Sequence, residues 1–522
     1  MEKKTEYNAE SRLLEKDIKG YLGIDNLESV RVVNVYEILH CVQNGIGSVQ
    51  NDIGREDLIS ILADEGLDNI YYEDIPIDKE DRYFQVELLP GQYNQREDSA
   101  NKAIKIVFET EDIKVKHSKL LIFSGIEAKD LDLIKKYYIN PVEMRLYNGQ
   151  WTIDNGQLVG GLASREENLK VENIKGFTRM TESEINKIKE KQGIGLDIED
   201  LLFCQRYFRE EEKRDPSITE LKLIDTYWSD HCRHTTFMTE LENIEFEEGL
   251  YKSLIEKAFK EYLNSREFVY GNSDRAISLM DLATINMKEI KKKGLLEDLE
   301  ESEEINACSI EIDVDIDGKI EKWLLMFKNE THNHPTEIEP NGGAATCLGG
   351  CIRDPLSGRA YVYQAMRITG ASNPAEDFEN TLAGKLPQRT ISQRAMEGYS
   401  SYGNQIGVSS GYIREIYHPD YVAKRMEVGA LVAAAPKENV IREIPQSGDL
   451  ILLIGGRTGK DGLGGAVGSS KGHTEESLET GGAEVQKGNP PLERKIVRLF
   501  RNETVSKMIK KCNDFGAGGV SG

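Results

Sequence analysis

The apolar positions of the first 145 residues switch between helical and strand spacing. Leu14, Ile18, Tyr21 and Leu22 fall on one stripe behind Ser11, which predicts a helix capped by Ser11 and stopped by Gly23. Residues 30–38 read as a strand, 55–67 as a helix and 69–72 as a short strand. Residues 83–88 alternate until Pro90 and Gly91 break the pattern. A helix over 99–108, a strand over 120–124 and a helix over 130–138 complete two rounds, which predicts an α+β sandwich with helices on one face of a sheet.

Residues 146–222 are rich in charge and in strong helix formers, and break at Asp215 and Pro216; they read as a linker domain. From 223 to 442 the pattern is α+β again. Residues 309–316 alternate, Asp317 and Gly318 signal a hairpin turn, and 319–327 return. GDLILLIGG, around 443–455, reads as a buried strand opening an α/β unit over 443–522. That unit ends inside the glycine-rich NDFGAGGVSG, so the chain is expected to be part of something longer. The fold class is α+β and α/β, multidomain.

Composition narrows the function. A chain of 522 residues should hold three or four domains. With a formal net charge of −24 it lacks the basic face of a generic nucleic-acid binder, so an anionic substrate must be met by a local positive patch or by metal ions. Seven scattered cysteines without a C-x-x-C pair favour reduced thiols and a cytoplasmic location. The charged N-terminus is no secretory signal, and the most apolar short run, 429–435, is too short to cross a bilayer.

The densest chemistry lies in FKNETHNHPTEIEPNGGAATCLGGCIRD, residues 327–354. If the hairpin strand stays extended past Phe327, then Lys328, Glu330, His332 and His334 share one face, away from Asn329, Thr331 and Asn333. Lysine can neutralise phosphate, glutamate can ligate Mg²⁺ and histidine can exchange a proton near neutral pH. A solvated polar edge strand is the bland alternative. Asn341, Gly342 and Gly343 read as a turn before a helix over 344–352, whose N-terminus would offer amide N–H groups to an anion. Arg353 and Asp354 follow, as an anion fork and a second metal oxygen, or else as an exposed pair.

Upstream, DTYWSDHCRHTTF places His231, Cys232 and His234 within four residues, which alone could be half a zinc site. GGRTGKDGLGG at 455–465 misses a phosphate-binding loop because Asp461 follows Lys460; Arg457, Thr458 and Lys460 either touch phosphate or form a tight turn. Cys347 reads as a small apolar core residue rather than a nucleophile.

Taken in order, DTYWSDHCRHTTF, FKNETHNHPTEIEPNGGAATCLGGCIRD, LPQRTISQRAMEGYSSYGNQIG, GGRTGKDG and EVQKGNP resemble phosphoribosylformylglycinamidine synthase of purine biosynthesis, over residues 200–522. LPGQYNQREDSA at 89–100 is similar to the N-terminal domain of the large single-chain form. The resemblance implies a domain at 1–145 like the small dimeric subunit and a linker over 146–222. It further implies a synthetase domain over 223–442 and a truncated second one over 443–522, with the fold of aminoimidazole ribonucleotide synthetase.

It also implies a C–N ligase. ATP phosphorylates the amide oxygen of formylglycinamide ribonucleotide, and ammonia from a glutaminase domain or subunit displaces phosphate. By the same resemblance His231 and His332 are catalytic, with His332 the proton acceptor. Lys328 contacts ATP, and His234 stands where some members have a nucleotide-contacting tyrosine. Thr331, His332, Asn333, His334, Arg353 and Gln486 bind substrate, and Glu330, Asp354 and Asp514 ligate Mg²⁺. Neither nucleic acid nor membrane is an expected partner. The family's substrate site spans two synthetase halves, so the chain alone is expected to be inactive or weak.

Overall fold

The computed structural model describes residues 1–40, 55–72, 74–110, 113–149, 151–154, 157–160, 171–304, 306–456, 462, 464–470, 472–473, 475, 477–480 and 484–514. The first unit runs β1 (Glu2–Lys3), α1 (Ala9–Gly20), β2 (Ser29–His40), α2 (Arg55–Leu62), β3 (Asp68–Asn69), β4 (Asp74–Pro76) and β5 (Arg82–Leu88). It continues through α3 (Gln95–Phe108), β6 (Ile113–Ser124), α4 (Ala128–Tyr138), β7 (Met144–Leu146), β8 (Trp151–Asp154) and β9 (Gln157–Gly160).

The main sheet has the order β3-β1-β2-β6-β5-β7. One face presents Val30, Val32, Phe84, Leu121 and Phe123 to Leu14, Ile18, Ile134 and Tyr137 of α1 and α4. The other face, through Val33, Leu120 and Ile122, packs on Ile75 and Leu158 of a small sheet ordered β4-β9-β8. Helices therefore lie on one face, as the alternation predicted. The small sheet extends the unit beyond residue 145.

Several boundaries differ from expectation. Asn8, not Ser11, caps α1: its side chain accepts the Ser11 amide, and Ser11 is buried in the first turn. Helix α3 starts at Gln95 because Asn94 accepts the Glu97 amide. Strand β6 begins at Ile113; Lys114 and Lys116 at its outward positions hid the apolar half of the alternation.

The linker packs α5 (Glu182–Gln192), α6 (Ile198–Tyr207) and α7 (Ile218–Trp228) around Phe177, Ile185, Leu201, Phe208 and Leu221. Ile224 and Trp228 join the same cluster, so the boundary expected at 222 falls inside a helix. Ser217 caps α7 immediately after the break at Asp215 and Pro216. Short helices α8 (Asp230–Arg233) and α9 (Thr235–Met238) lead to the longer α10 (Lys252–Tyr270) and α11 (Leu279–Lys292).

A second sheet follows as β10 (Cys308–Ile316), β11 (Lys319–Thr331), α12 (Asn333–Ile338), α13 (Pro340–Ser357), β12 (Tyr361–Ala371), α14 (Gln388–Ile406), β13 (Ser409–Tyr417) and β14 (Met426–Pro436). Strand order is β10-β11-β14-β12-β13. The β10–β11 hairpin closes at Asp317 and Gly318, both at positive φ (53° and 85°), the backbone that such a two-residue turn demands. Leu324, Met326, Leu431 and Ala433 bury one sheet face against Leu348 and Ile352 of α13 and Tyr399 and Tyr402 of α14.

Beyond the sheet, Leu450 to Ile454 form no strand and are between 48% and 99% exposed, contrary to the buried strand expected there. Hydrophobicity supplies the drive for burial but not the neighbouring strands, and none pairs with this run among the described residues. Then come α15 (Gly465–Ser469), α16 (Ser477–Thr480) and α17 (Pro490–Phe500), with Val497 and Phe500 packed on Leu356. Arg457, Thr458 and Lys460 of the glycine-rich loop, and the tail after Asp514, lie outside the described residues.

Candidate functional site

Strand β11 and helix α13 build the site between them. Lys328 and Glu330 continue the sheet face on which Leu324 and Met326 are buried, so both point towards α13; Phe327, Asn329 and Thr331 are exposed on the other face. Helix α13 is laid along β11 by two buried cysteines. The Cys347 thiol lies 3.7 Å from the Glu330 carbonyl, and the Cys351 thiol 3.6 Å from that of Lys328. This places Asp354, three residues beyond Cys351, so that its Oδ2 is 2.5 Å from Lys328 Nζ; Glu330 Oε2 is 3.4 Å from the same ammonium. The side chains are 25% (Lys328), 34% (Glu330) and 19% (Asp354) exposed, so they are open to a ligand yet partly stripped of water.

The electrostatics follow. Burial, reinforced by Asp354, raises the Glu330 carboxyl above its ordinary pKa despite Lys328. Burial also raises Asp354, with Asp514 adding to the effect. Burial works against the Lys328 charge, but Asp354 and Glu330 outweigh it and its pKa rises. Carboxylates that repel one another around a single lysine can take a further cation. Among the described residues no three His, Cys, Asp or Glu side chains form a metal cage. The Glu330 and Asp354 carboxylates beside Lys328 are hard oxygen donors, of the kind a divalent ion takes together with water and phosphate. The same absence leaves His231, Cys232 and His234 without the fourfold set that zinc requires.

Arg353 and Asp354 sit inside the last turns of α13, not beyond a helix ending at 352. Arg353 is 20% exposed and held by two acids: Nε donates to Asp514 Oδ1 at 3.0 Å and Nη1 to Glu493 Oε2 at 3.1 Å. Buried Glu493 also accepts from the Tyr402 hydroxyl at 2.6 Å. Burial pushes the Glu493 carboxyl up to about 7 even beside Arg353. The run Asn341, Gly342 and Gly343 is not a turn but the first turn of α13, begun by Pro340 at its N-terminus. A side chain at 343 would collide with the α12 backbone at Pro335 and Thr336, so this glycine serves close packing.

The shared face expected of four residues breaks at His332. Strand β11 ends at Thr331, and α12 starts at Asn333. His332 lies within electrostatic reach of Arg353. Its backbone N–H donates to the Glu427 carbonyl at 2.9 Å, and its Nδ1 lies 2.6 Å from the Gly343 carbonyl. A carbonyl only accepts, so Nδ1 carries the proton and Nε2 keeps its lone pair. Nε2 has no hydrogen-bond partner among the described residues. Burial pushes this imidazole down to about 4, against the bond to Gly343, and so leaves it neutral at pH 7.

His334, by contrast, is buried. Its Nε2 lies 2.7 Å from Glu484 Oε2 and its Nδ1 3.2 Å from Lys424 Nζ. Asn333 is occupied structurally, its Oδ1 accepting the Glu427 amide at 2.7 Å. Thr331 is exposed on the far face of the sheet. The Gln486 carbonyl accepts the Thr346 hydroxyl at 2.6 Å, which brings this segment against α13. His231 is exposed on α8, its amide 2.9 Å from Ser470 Oγ. His234 takes a left-handed backbone (φ 55°) between α8 and α9 and is exposed. Buried Cys347 is held protonated, burial pushing its thiol well above the ordinary range. Sequence reasoning gave no role to Glu493, Tyr402 or the buried Glu339–Lys487 ion pair; Tyr402, Glu339 and Lys487 lie within the motifs quoted above, whereas Glu493 lies in none of them.

Two family models match the chain. Residues 185–234 match the formylglycinamide ribonucleotide amidotransferase linker domain, and residues 446–522 match the C-terminal domain of AIR synthase related protein. The phosphoribosylformylglycinamidine synthase subunit PurL of Methanopyrus kandleri is 26% identical over 317 residues, covering 60% of this chain and 34% of that one. The corresponding subunit of Ignicoccus hospitalis is 32% identical over 200 residues, covering 38% and 26%. Thermotoga maritima PurL complexed with FGAR is 22% identical, covers 60% of this chain and 39% of that chain, and has a TM-score of 0.35. The chain spans about a third of the length of the curated relatives it matches. Among the described residues no helix is long and apolar enough to cross a membrane.

Proposed function

We infer that this chain, which belongs to the phosphoribosylformylglycinamidine synthase family, supplies the first synthetase half of an ATP-dependent C–N ligase of purine biosynthesis. The observation that carries the reading is Lys328 set between Asp354 and Glu330, with a neutral His332, its Nε2 without a partner among the described residues, two positions beyond Glu330 along the chain. The substrates are formylglycinamide ribonucleotide, ATP and ammonia. The ammonia comes from a glutaminase domain or subunit, and a second synthetase half completes the site. The location is cytoplasmic.

An amide oxygen is a poor leaving group, and its phosphorylation makes displacement by ammonia feasible. Lys328 neutralises phosphate charge as a point cation, so its work is positioning and electrostatic. Glu330 and Asp354 would hold Mg²⁺ with water and phosphate as its other ligands, Asp514 being engaged by Arg353; when bound, the ion supplies further charge neutralisation at the phosphates. His332 Nε2 accepts a proton from the amide or the incoming amine. Arg353 and Gln486 orient the substrate, His231 on α8 is the second catalytic histidine, and His234 in the turn after it contacts the nucleotide.

The test is ATP-dependent phosphate release with formylglycinamide ribonucleotide and ammonium, using the chain with and without the second synthetase half. Release that requires both halves and the ribonucleotide supports the reading. Equal release without the ribonucleotide, or none with both halves present, overturns it.

A further inference from the structure

We propose that Tyr402 and Glu493 are positioning residues that clamp Arg353 from behind and leave one end of its guanidinium to meet the substrate. The proposal rests on Arg353 as a substrate contact and adds two residues that the sequence motifs did not single out.

The clamp is built from three distant segments. Tyr402 comes from α14 and is 2% exposed; Glu493 comes from the first turn of α17 and is 5% exposed; Arg353 comes from α13. The Tyr402 hydroxyl donates to Glu493 Oε2 at 2.6 Å, and the same oxygen accepts Arg353 Nη1 at 3.1 Å. Asp514 takes Nε at 3.0 Å. Nη2 is left without a hydrogen-bond partner among the described residues. A guanidinium fixed at two nitrogens keeps its plane, and the third nitrogen can donate to an incoming oxygen without further ordering.

The tyrosine ring is held where only glycine fits. A side-chain carbon at Gly349 on α13 would stand 2.6 Å from the Tyr402 hydroxyl, and one at Gly488 would overlap the ring itself. Both glycines belong to motifs with no other evident steric demand, CLGGC and QKGNP. Tyr402 thus locks α13, α14 and the 484–490 segment together at the point from which Arg353 projects.

Two measurements decide the proposal. The first is hydrogen exchange of the Arg353 Nη1–H group that Glu493 holds, followed by NMR in ¹⁵N-arginine protein, which needs no substrate. Glu493→Gln should speed exchange by about tenfold or more, Tyr402→Phe by less, and Glu493→Asp should restore protection. The second is steady-state turnover with ammonium in the enzyme completed by its second half. Glu493→Gln should raise KM for formylglycinamide ribonucleotide about tenfold while KM for ATP stays within about twofold. Unchanged exchange in Glu493→Gln overturns the clamp. Altered exchange with both KM values shifted equally overturns the substrate-positioning role. If turnover proves independent of the ribonucleotide, the proposed function fails while the exchange measurement still decides the clamp.

Discussion

Replacing Lys328 by Met keeps an unbranched apolar stem of similar length and removes the charge. Glu330 and Asp354 are then left facing each other, 34% and 19% exposed, with no cation between them. An exposed ion pair is worth about 0.2–1 kcal/mol and breaking a fully buried one costs about 3–5 kcal/mol. Partial exposure discounts the upper figure, so a loss of about 1–2 kcal/mol is expected. That corresponds to a fall of roughly 3–5 °C in the unfolding temperature of the synthetase unit. Magnesium should reverse it, since a divalent ion at about ten times its Kd contributes about 1.4 kcal/mol. The wild type should gain less, because Lys328 already occupies the space between the carboxylates. Thermal unfolding by circular dichroism, with and without MgCl₂, reads both effects. An unchanged unfolding temperature in Lys328→Met, or an equal magnesium shift in both proteins, would refute the assignment of these carboxylates to a cation site.

His332→Ala should lower turnover with free ammonium in the completed enzyme by more than about tenfold, and near-normal turnover removes this imidazole from the mechanism. In the N-terminal unit, His117 lies 3.0 Å from Asn34 Oδ1 and 3.4 Å from the Asn94 amide nitrogen, and burial pushes it from 6.5 to about 3. Between those values the unfolded chain binds more protons than the folded one, so stability is complete above about pH 6.5 and drains as pH falls. At pH 5 the wild type should have lost about 2 kcal/mol that His117→Gln retains, measured from urea midpoints; parallel pH profiles would contradict this. Gly488→Ala should cost about 1–3 kcal/mol by overlap with Tyr402, with much of the loss relieved in a Gly488→Ala, Tyr402→Leu double variant. Strict additivity of the two substitutions would place the strain elsewhere.

Lys328, Glu330 and Asp354 were legible in the sequence because each depends on local periodicity. Two of them share a strand face, and the third is fixed by helical spacing from Cys347 and Cys351, which rest on that strand. His334 was misplaced because alternation holds only while the strand lasts, and β11 ends at Thr331. Intrinsic preference alone makes the run Asn341 to Gly343 look like a turn. Packing against α12 is what demands the glycine at 343, and sequence does not display such contacts. Leu450 to Ile454 carry the composition of a core strand, yet no strand pairs with them among the described residues. Glu493 meets Arg353 across 140 residues, and no spacing rule reaches that far.

The most direct measurement is equilibrium binding of a non-hydrolysable ATP analogue to the chain joined with its second synthetase half, titrated with and without Mg²⁺. Nucleotide held between β11 and α13 requires that binding depend on Mg²⁺ and weaken at least about tenfold in Lys328→Ala and in Glu330→Gln. Undiminished affinity in both variants would show that the nucleotide sits somewhere else.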